Sequence, residues 1–115
     1  IATGILVANC LEAAEKLAAD GIDAEVINIH TIKPIDADLI VASAQKTGKV
    51  VTAEEHSVIG GLGGAVAEVL SEKAPTKQLR IGINDTFGES GPAAELVKKY
   101  GLDADSIYEK VKAFV

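Results

Sequence analysis

Apolar and polar positions along this chain change period in a regular order. Residues 1–3 form a short apolar stretch closed by Gly4 and read as the end of a strand. Over residues 5–20, Ile5, Ala8, Leu11, Ala14, Leu17 and Ala18 fall near one face of a helix, and Gly21 stands where a C-terminal stop is expected. Residues 24–29 are rich in β-branched side chains and predict a second strand. Lys33 precedes Pro34, a context that resists the α region, so residues 31–34 read as a loop. Asp36 or Asp38 opens a helix running to about Thr47, with Gly48 ending it. Residues 49–53 are a third strand, a continuous run consistent with a buried position. Between residues 61 and 73, Leu62, Ala65, Val66, Val69 and Leu70 recur at helical spacing, and Pro75 marks the exit. Residues 78–83 make the last clear strand. The following loop carries Gly88, Ser90 and Gly91 as turn-formers. Pro92 suits the first turn of a helix ending near Tyr100, with Gly101 as its stop. Asp103 or Asp105 caps a final helix reaching Val115. Four strands alternating with five helices predict an α/β fold, a parallel sheet with crossover helices.

Composition narrows this picture. With 115 residues the chain fits one domain, and no second core is expected. Aromatic residues are only 3%, so the core must be Val, Ile, Leu and Ala, which suits helices lying on a parallel sheet. The formal net charge of −6 leaves no basic footprint for nucleic acid, and an anionic membrane surface repels it. Cys10 is the single cysteine, so neither an internal disulfide nor a cysteine metal cluster can form. No apolar run approaches the ~20 residues of a membrane span, and no secretory leader pattern opens the chain. The expectation is a cytoplasmic protein. The chain also lacks Met and opens inside a structural element, from which a fragment of a longer polypeptide is expected.

Candidate chemistry concentrates in residues 54–64, Glu-Glu-His-Ser-Val-Ile-Gly-Gly-Leu-Gly-Gly. Glycines at a helix N-terminus let backbone N–H groups approach an anion such as phosphate. Asp85 ends the next strand near where a dinucleotide fold places its ribose-binding acid. Yet Gly61, Gly63 and Val66 lack the third glycine of that fingerprint, and the glycines lie far from the strand end. Close packing of the helix on the sheet or on a partner explains them as well. Glu54, Glu55 and His56 sit at the strand end where α/β proteins usually bind ligands. Adjacent carboxylates on a strand point oppositely, so at most one of them faces His56. Without a nucleophile in a readable pattern, an interface or a hydrogen-bond network suits these residues better than acid–base catalysis. The candidate interface or anion-binding turn is therefore Glu55, His56, Gly60, Gly61, Gly63 and Gly64. His30 ends the second strand and could line the same edge, though a solvated loop histidine is the commoner reading, and Cys10 reads as a small buried hydrophobe. Asp103, Asp105 and Glu109 read as caps and a solvated face, and Lys98 and Lys99 as complements to a helix dipole.

Residues 26–36, then Gly48-Lys49-Val50-Val51-Thr52-Ala53-Glu54-Glu55-His56 and Gly60-Gly61-Leu62-Gly63, resemble the transketolase C-terminal domain superfamily. That superfamily includes the C-terminal parts of 2-oxo-acid dehydrogenase beta chains and of deoxyxylulose-phosphate synthase. Asp85-Thr86-Phe87-Gly88-Glu89-Ser90-Gly91, with Leu96, Tyr100-Gly101-Leu102 and Ile107, resembles the end of transketolases, particularly those split into two polypeptides. The resemblance implies a three-layer α/β/α sandwich on a mostly parallel sheet, with a first, antiparallel strand upstream of Ile1. It implies an enzyme of the pentose phosphate type, moving two-carbon ketol units between sugar phosphates with thiamine diphosphate and a divalent metal, Mg or Ca. Those groups lie between other domains, so no catalytic, cofactor-binding or metal-binding residue carries over to this chain. The implied partners are those domains or an N-terminal subunit, in a homodimer or heterotetramer, and the implied role is to brace that assembly. A 2-oxo-acid dehydrogenase or deoxyxylulose-phosphate synthase parent is the alternative within the superfamily. A small regulatory nucleotide- or anion-binding module is the alternative outside it.

Overall fold

The structure is a computed structural model that describes residues 1–4, 6–29, 35–57, 61–83 and 101–115, and of residues 55–57 and 83 only the backbone. Its helices are α1 (Leu6–Ala19), α2 (Ala37–Thr47), α3 (Leu62–Lys73) and α4 (Ala104–Phe114). Its strands are β1 (Lys49–Ser57) and β2 (Lys77–Ile83). The predicted helix after Pro92 lies outside the described residues, as do His30, Gly60, Asp85, Lys98 and Lys99.

Local chemistry sets the element ends. Gly21, at φ 82°, closes α1: its N–H donates to the Ala18 carbonyl (3.0 Å) and that of Ile22 to Leu17 (2.9 Å), a Schellman pair of bonds. Asp36 is the N-cap of α2, accepting from the Leu39 N–H at 3.1 Å. Gly48, left-handed at φ 80°, ends α2 by donating to the Ala44 carbonyl at 2.8 Å. Asp103 caps α4, taking the Ser106 N–H at 3.3 Å and its hydroxyl at 2.7 Å.

β1 and β2 pair in parallel, Lys49 opposite Lys77 through Ala53 opposite Ile81, with an irregularity before Ser57 meets Ile83. Ala2 makes parallel bridges to Ala53 on one side and Asn28 on the other. The order across the sheet is therefore Asn28, Ala2, β1, β2. The predicted strands at residues 1–3 and 24–29 shrink to these bridges, with Ala2 donating to Ile27 (2.9 Å) and Ile29 donating to Ala2 (3.0 Å). A ladder needs a partner residue at every position, and residues 1–3 supply few. β1 in contrast outruns its apolar stretch, because backbone pairing does not stop at Glu54.

Two cores flank the sheet. On one face Ile40 and Ala44 of α2 and Leu62, Val66 and Leu70 of α3 pack over Ile27, Ile29 and Val50. On the other, Leu6 and Ala13 of α1 and Ile107 of α4 pack with Leu102 over Ala2, Ala53 and Ile81. Helices on both faces of a parallel sheet make the three-layer α/β/α sandwich. The face of α1 differs from the predicted one. Leu17 is buried as expected, but its buried companions are Leu6 and Ala13, whereas Leu11 is 52% exposed and Ala8 and Ala18 lie outside. Alanine fits either stripe, so periodicity did not separate them.

Candidate functional site

The C-terminal end of β1 meets the N-terminus of α3, and one side chain joins them. Val50, Thr52 and Glu54 alternate onto the face of the sheet that α3 covers, since strand side chains repeat every second residue. The Glu54 carboxylate is buried at 1% exposure. It accepts the Leu62 N–H through Oε1 at 2.9 Å and the Gly63 N–H through Oε2 at 2.6 Å. The N-cap residue, Gly61, contributes no side-chain bond, so Glu54 satisfies two of the helix's orphan donors from eight and nine residues away.

A second tier fixes the same corner. Gln78 of β2 donates through Nε2 to the Gly63 carbonyl (3.0 Å) and to Thr52 Oγ1 (3.2 Å). Gly63 is buried, and a Cβ placed on it stands 3.0 Å from Arg80 Cδ and 3.1 Å from Thr52 Oγ1. The absence of a side chain lets α3 lie that close to the sheet. Gly64 is one residue further round and has nothing within 4 Å of such a Cβ. Every buried side-chain nitrogen and oxygen among the described residues has a hydrogen-bond partner.

Of the candidate turn, Glu55 and His56 continue the β1 backbone, Gly61 is the α3 N-cap, and Gly63 and Gly64 open the helix. Sequence reasoning passed over Glu54 as a cap and Gln78 as its support. A glycine N-cap lacking a side chain, with an acid at the preceding strand end, was the available signal. Asp103 caps as expected, while Asp105 pairs with Lys16 of α1. Cys10 is half-buried against the α1–α4 core, and burial pushes its thiol pKa up. That makes it a poor nucleophile.

Thiamine diphosphate and its metal do not fit the residues at this corner. The helix N–H donors suited to a diphosphate are bonded to Glu54. Among the described residues no three His, Cys, Asp or Glu side chains come together to hold a metal ion. A concavity of about 320 Å³ opens at the other edge of the sheet, lined mainly by aliphatic groups such as Leu17, Val26, Val50 and Val111. No described helix is long and apolar enough to cross a membrane.

Comparison with known proteins agrees with the sandwich. The 6-deoxy-6-sulfo-D-fructose transketolase subunit SqwH of Clostridium sp. (strain MSTE9) is 55% identical over 107 residues, 93% of this chain and 33% of that protein. A putative transketolase C-terminal section of Methanocaldococcus jannaschii is 54% identical over 112 residues, covering 96% of this chain and 34% of that protein. The 1-deoxy-D-xylulose-5-phosphate synthase 1 of Geobacter metallireducens is 44% identical over 117 residues, 100% of this chain and 19% of the synthase. The chain thus spans about a third of the length of the first two. Among solved structures, a split-gene transketolase described as an inactive beta4 tetramer superposes at a TM-score of 0.90. It is 56% identical, with 97% of this chain and 37% of that chain covered. The family model for the transketolase C-terminal domain matches residues 1–107. With the three layers, the glycine-opened α3 and this match in agreement, the chain belongs to the transketolase C-terminal domain family.

Proposed function

We propose that this chain is an assembly domain of a transketolase-like enzyme and that the chemistry is carried by other parts of that enzyme. The observation that carries the reading is the corner at Glu54. The sheet edge on which α/β proteins usually bind ligands has its helix N-terminus filled by the chain's own carboxylate. What remains there to offer is a rigid surface, held by Gln78, Thr52 and Gly63. Of the candidate turn, Gly63 packs inward on the sheet, and Glu55, His56, Gly60, Gly61 and Gly64 are in this reading an interface to neighbouring domains or to an N-terminal subunit.

In the complete enzyme, thiamine diphosphate with Mg or Ca would supply the carbanion chemistry of two-carbon ketol transfer between sugar phosphates. This chain's residues would orient and brace the subunits that hold it, in a homodimer or heterotetramer in the cytoplasm. The relative named for a sulfo-sugar extends the substrates worth testing to 6-deoxy-6-sulfo-D-fructose. The synthase relatives, aligned over the whole chain, keep a deoxyxylulose-phosphate synthase parent as the second reading.

Calorimetric titration checks the central point: the chain alone takes up no thiamine diphosphate. Mixed with the cofactor-holding subunit or domains, it co-elutes on size exclusion and ketol transfer appears. A tight cofactor site on the chain itself, or failure to co-elute, overturns the assembly reading.

A further inference from the structure

The N-terminal turn of α3 has the donor arrangement of an anion site, and the chain already places an anion in it. Burying a carboxylate costs several kcal/mol unless its oxygens find partners. Glu54 finds them in two backbone N–H groups at the positive end of a helix, one for each oxygen, at 2.9 and 2.6 Å. A phosphate or sulfate at a helix N-terminus is bound by the same kind of donors.

The surroundings are complete around that arrangement. Gly61 brings no competing cap, and Gly63 brings no side chain, with Thr52 and Arg80 filling the space a Cβ would take. Gln78 holds the Gly63 carbonyl from the neighbouring strand, so the peptide that presents one donor is fixed on its other side. The Glu54 carboxylate also ties β1 to the start of α3.

We propose that Glu54 is a built-in anion: it occupies the α3 N-terminus in place of phosphate and ties the start of that helix to β1. The site is closed to sugar phosphates and diphosphates in the native chain and opens to small anions when the carboxylate is removed. The proposal rests on the assembly reading only for its consequence, that protein surface meets this corner. Its chemistry stands on Glu54, Leu62 and Gly63.

The test follows the Leu62 and Gly63 amide resonances and the melting midpoint in the parent chain, Glu54→Ala and Glu54→Gln. Inorganic phosphate leaves both parent amides unmoved. Glu54→Ala melts more than about 8 °C lower, the consequence of two lost charged hydrogen bonds. Formate then restores much of that loss, whereas chloride at equal ionic strength does not. Glu54→Gln keeps one acceptor, loses less, and gains nothing from formate because its amide still fills the space. Leu70→Ala, a core truncation in the same helix, shows no formate gain beyond the chloride control and excludes a general salt effect. Phosphate shifting the two parent amides overturns the proposal. So does a Glu54→Ala chain, folded or not, whose condition is the same with formate as with chloride. Failure of the co-elution experiment leaves these readouts untouched, so the two ideas fail separately.

Discussion

Gly63 and Gly64 are neighbours in the first turn of α3 with unlike surroundings. A methyl at 64 meets open space, while one at 63 presses on Thr52, which is fully buried, and on the Arg80 stem. Alanine in a helix gains roughly 0.5–1 kcal/mol over glycine where it fits. Gly64→Ala is therefore expected to raise the urea midpoint. Gly63→Ala is expected to fall below Gly64→Ala by more than the helix-propensity gain, because the Thr52 hydroxyl that Gln78 holds must move. Equal midpoints for the two would show that α3 can lift off the sheet at no cost. At this scale the sequence showed where glycines fall and said nothing of which one touches the sheet.

Among the elements, α2 is the most local. Its start was legible as Asp36 or Asp38, of which Asp36 is the cap, and its stop as Gly48, because capping needs only residues within one turn. Asp36→Ala removes the oxygen that takes the Leu39 N–H, and a loss of about 1 kcal/mol in unfolding free energy is expected. Asp36→Asn, which keeps an oxygen acceptor, should lose far less, and denaturant melts of the two variants make the comparison. The α1 face was not legible in this way. Leu17 belongs to either of two acceptable stripes, with Leu6 and Ala13 or with Leu11, Ala14 and Ala18, and packing of Leu6 and Ala13 in the core that holds Ile107 of α4 selects the first. The polar end of β1 was missed for a related reason: pairing with β2 prolongs it through residues whose side chains carry no strand signal.

For the whole molecule, two exposed acids cross between elements. Asp20, just after α1, accepts from the Tyr108 hydroxyl and pairs with Lys112 of α4 (3.3 Å). Glu25 accepts from Ser43 and from Lys46 (3.0 Å), tying the 24–29 segment to α2. The Tyr108 and Ser43 hydrogen bonds, helped by the lysines, hold both carboxyl pKa values below their ordinary 3.8 and 4.5. A pKa lowered on folding means that the unfolded chain binds more protons, so stability rises with pH through this range. The contribution is complete above the ordinary values and lost as pH falls through the lowered ones. Melting followed from pH 6 down to pH 2 should show this loss beginning below about pH 4.5, and Asp20→Asn with Glu25→Gln should flatten it. An acid branch unchanged in the double variant would mean that these pairs do not couple the layers. Both are solvent-exposed, so high salt should weaken the effect.

Short-range pattern determined the alternation of strand and helix among the described residues, the glycine stops at 21 and 48 and the aliphatic core, and it narrowed two caps to Asp36 or Asp38 and to Asp103 or Asp105. Each depends on neighbours a few residues apart. The sequence motifs also sufficed for the family resemblance. Tertiary structure alone decided which stripe of α1 is buried, how far β1 runs, and that the Glu54 carboxylate takes the N–H groups at the start of α3. Those outcomes turn on contacts between residues that are distant in sequence or separated by a loop, where side-chain direction and distance, unlike residue type, are set only once the layers close.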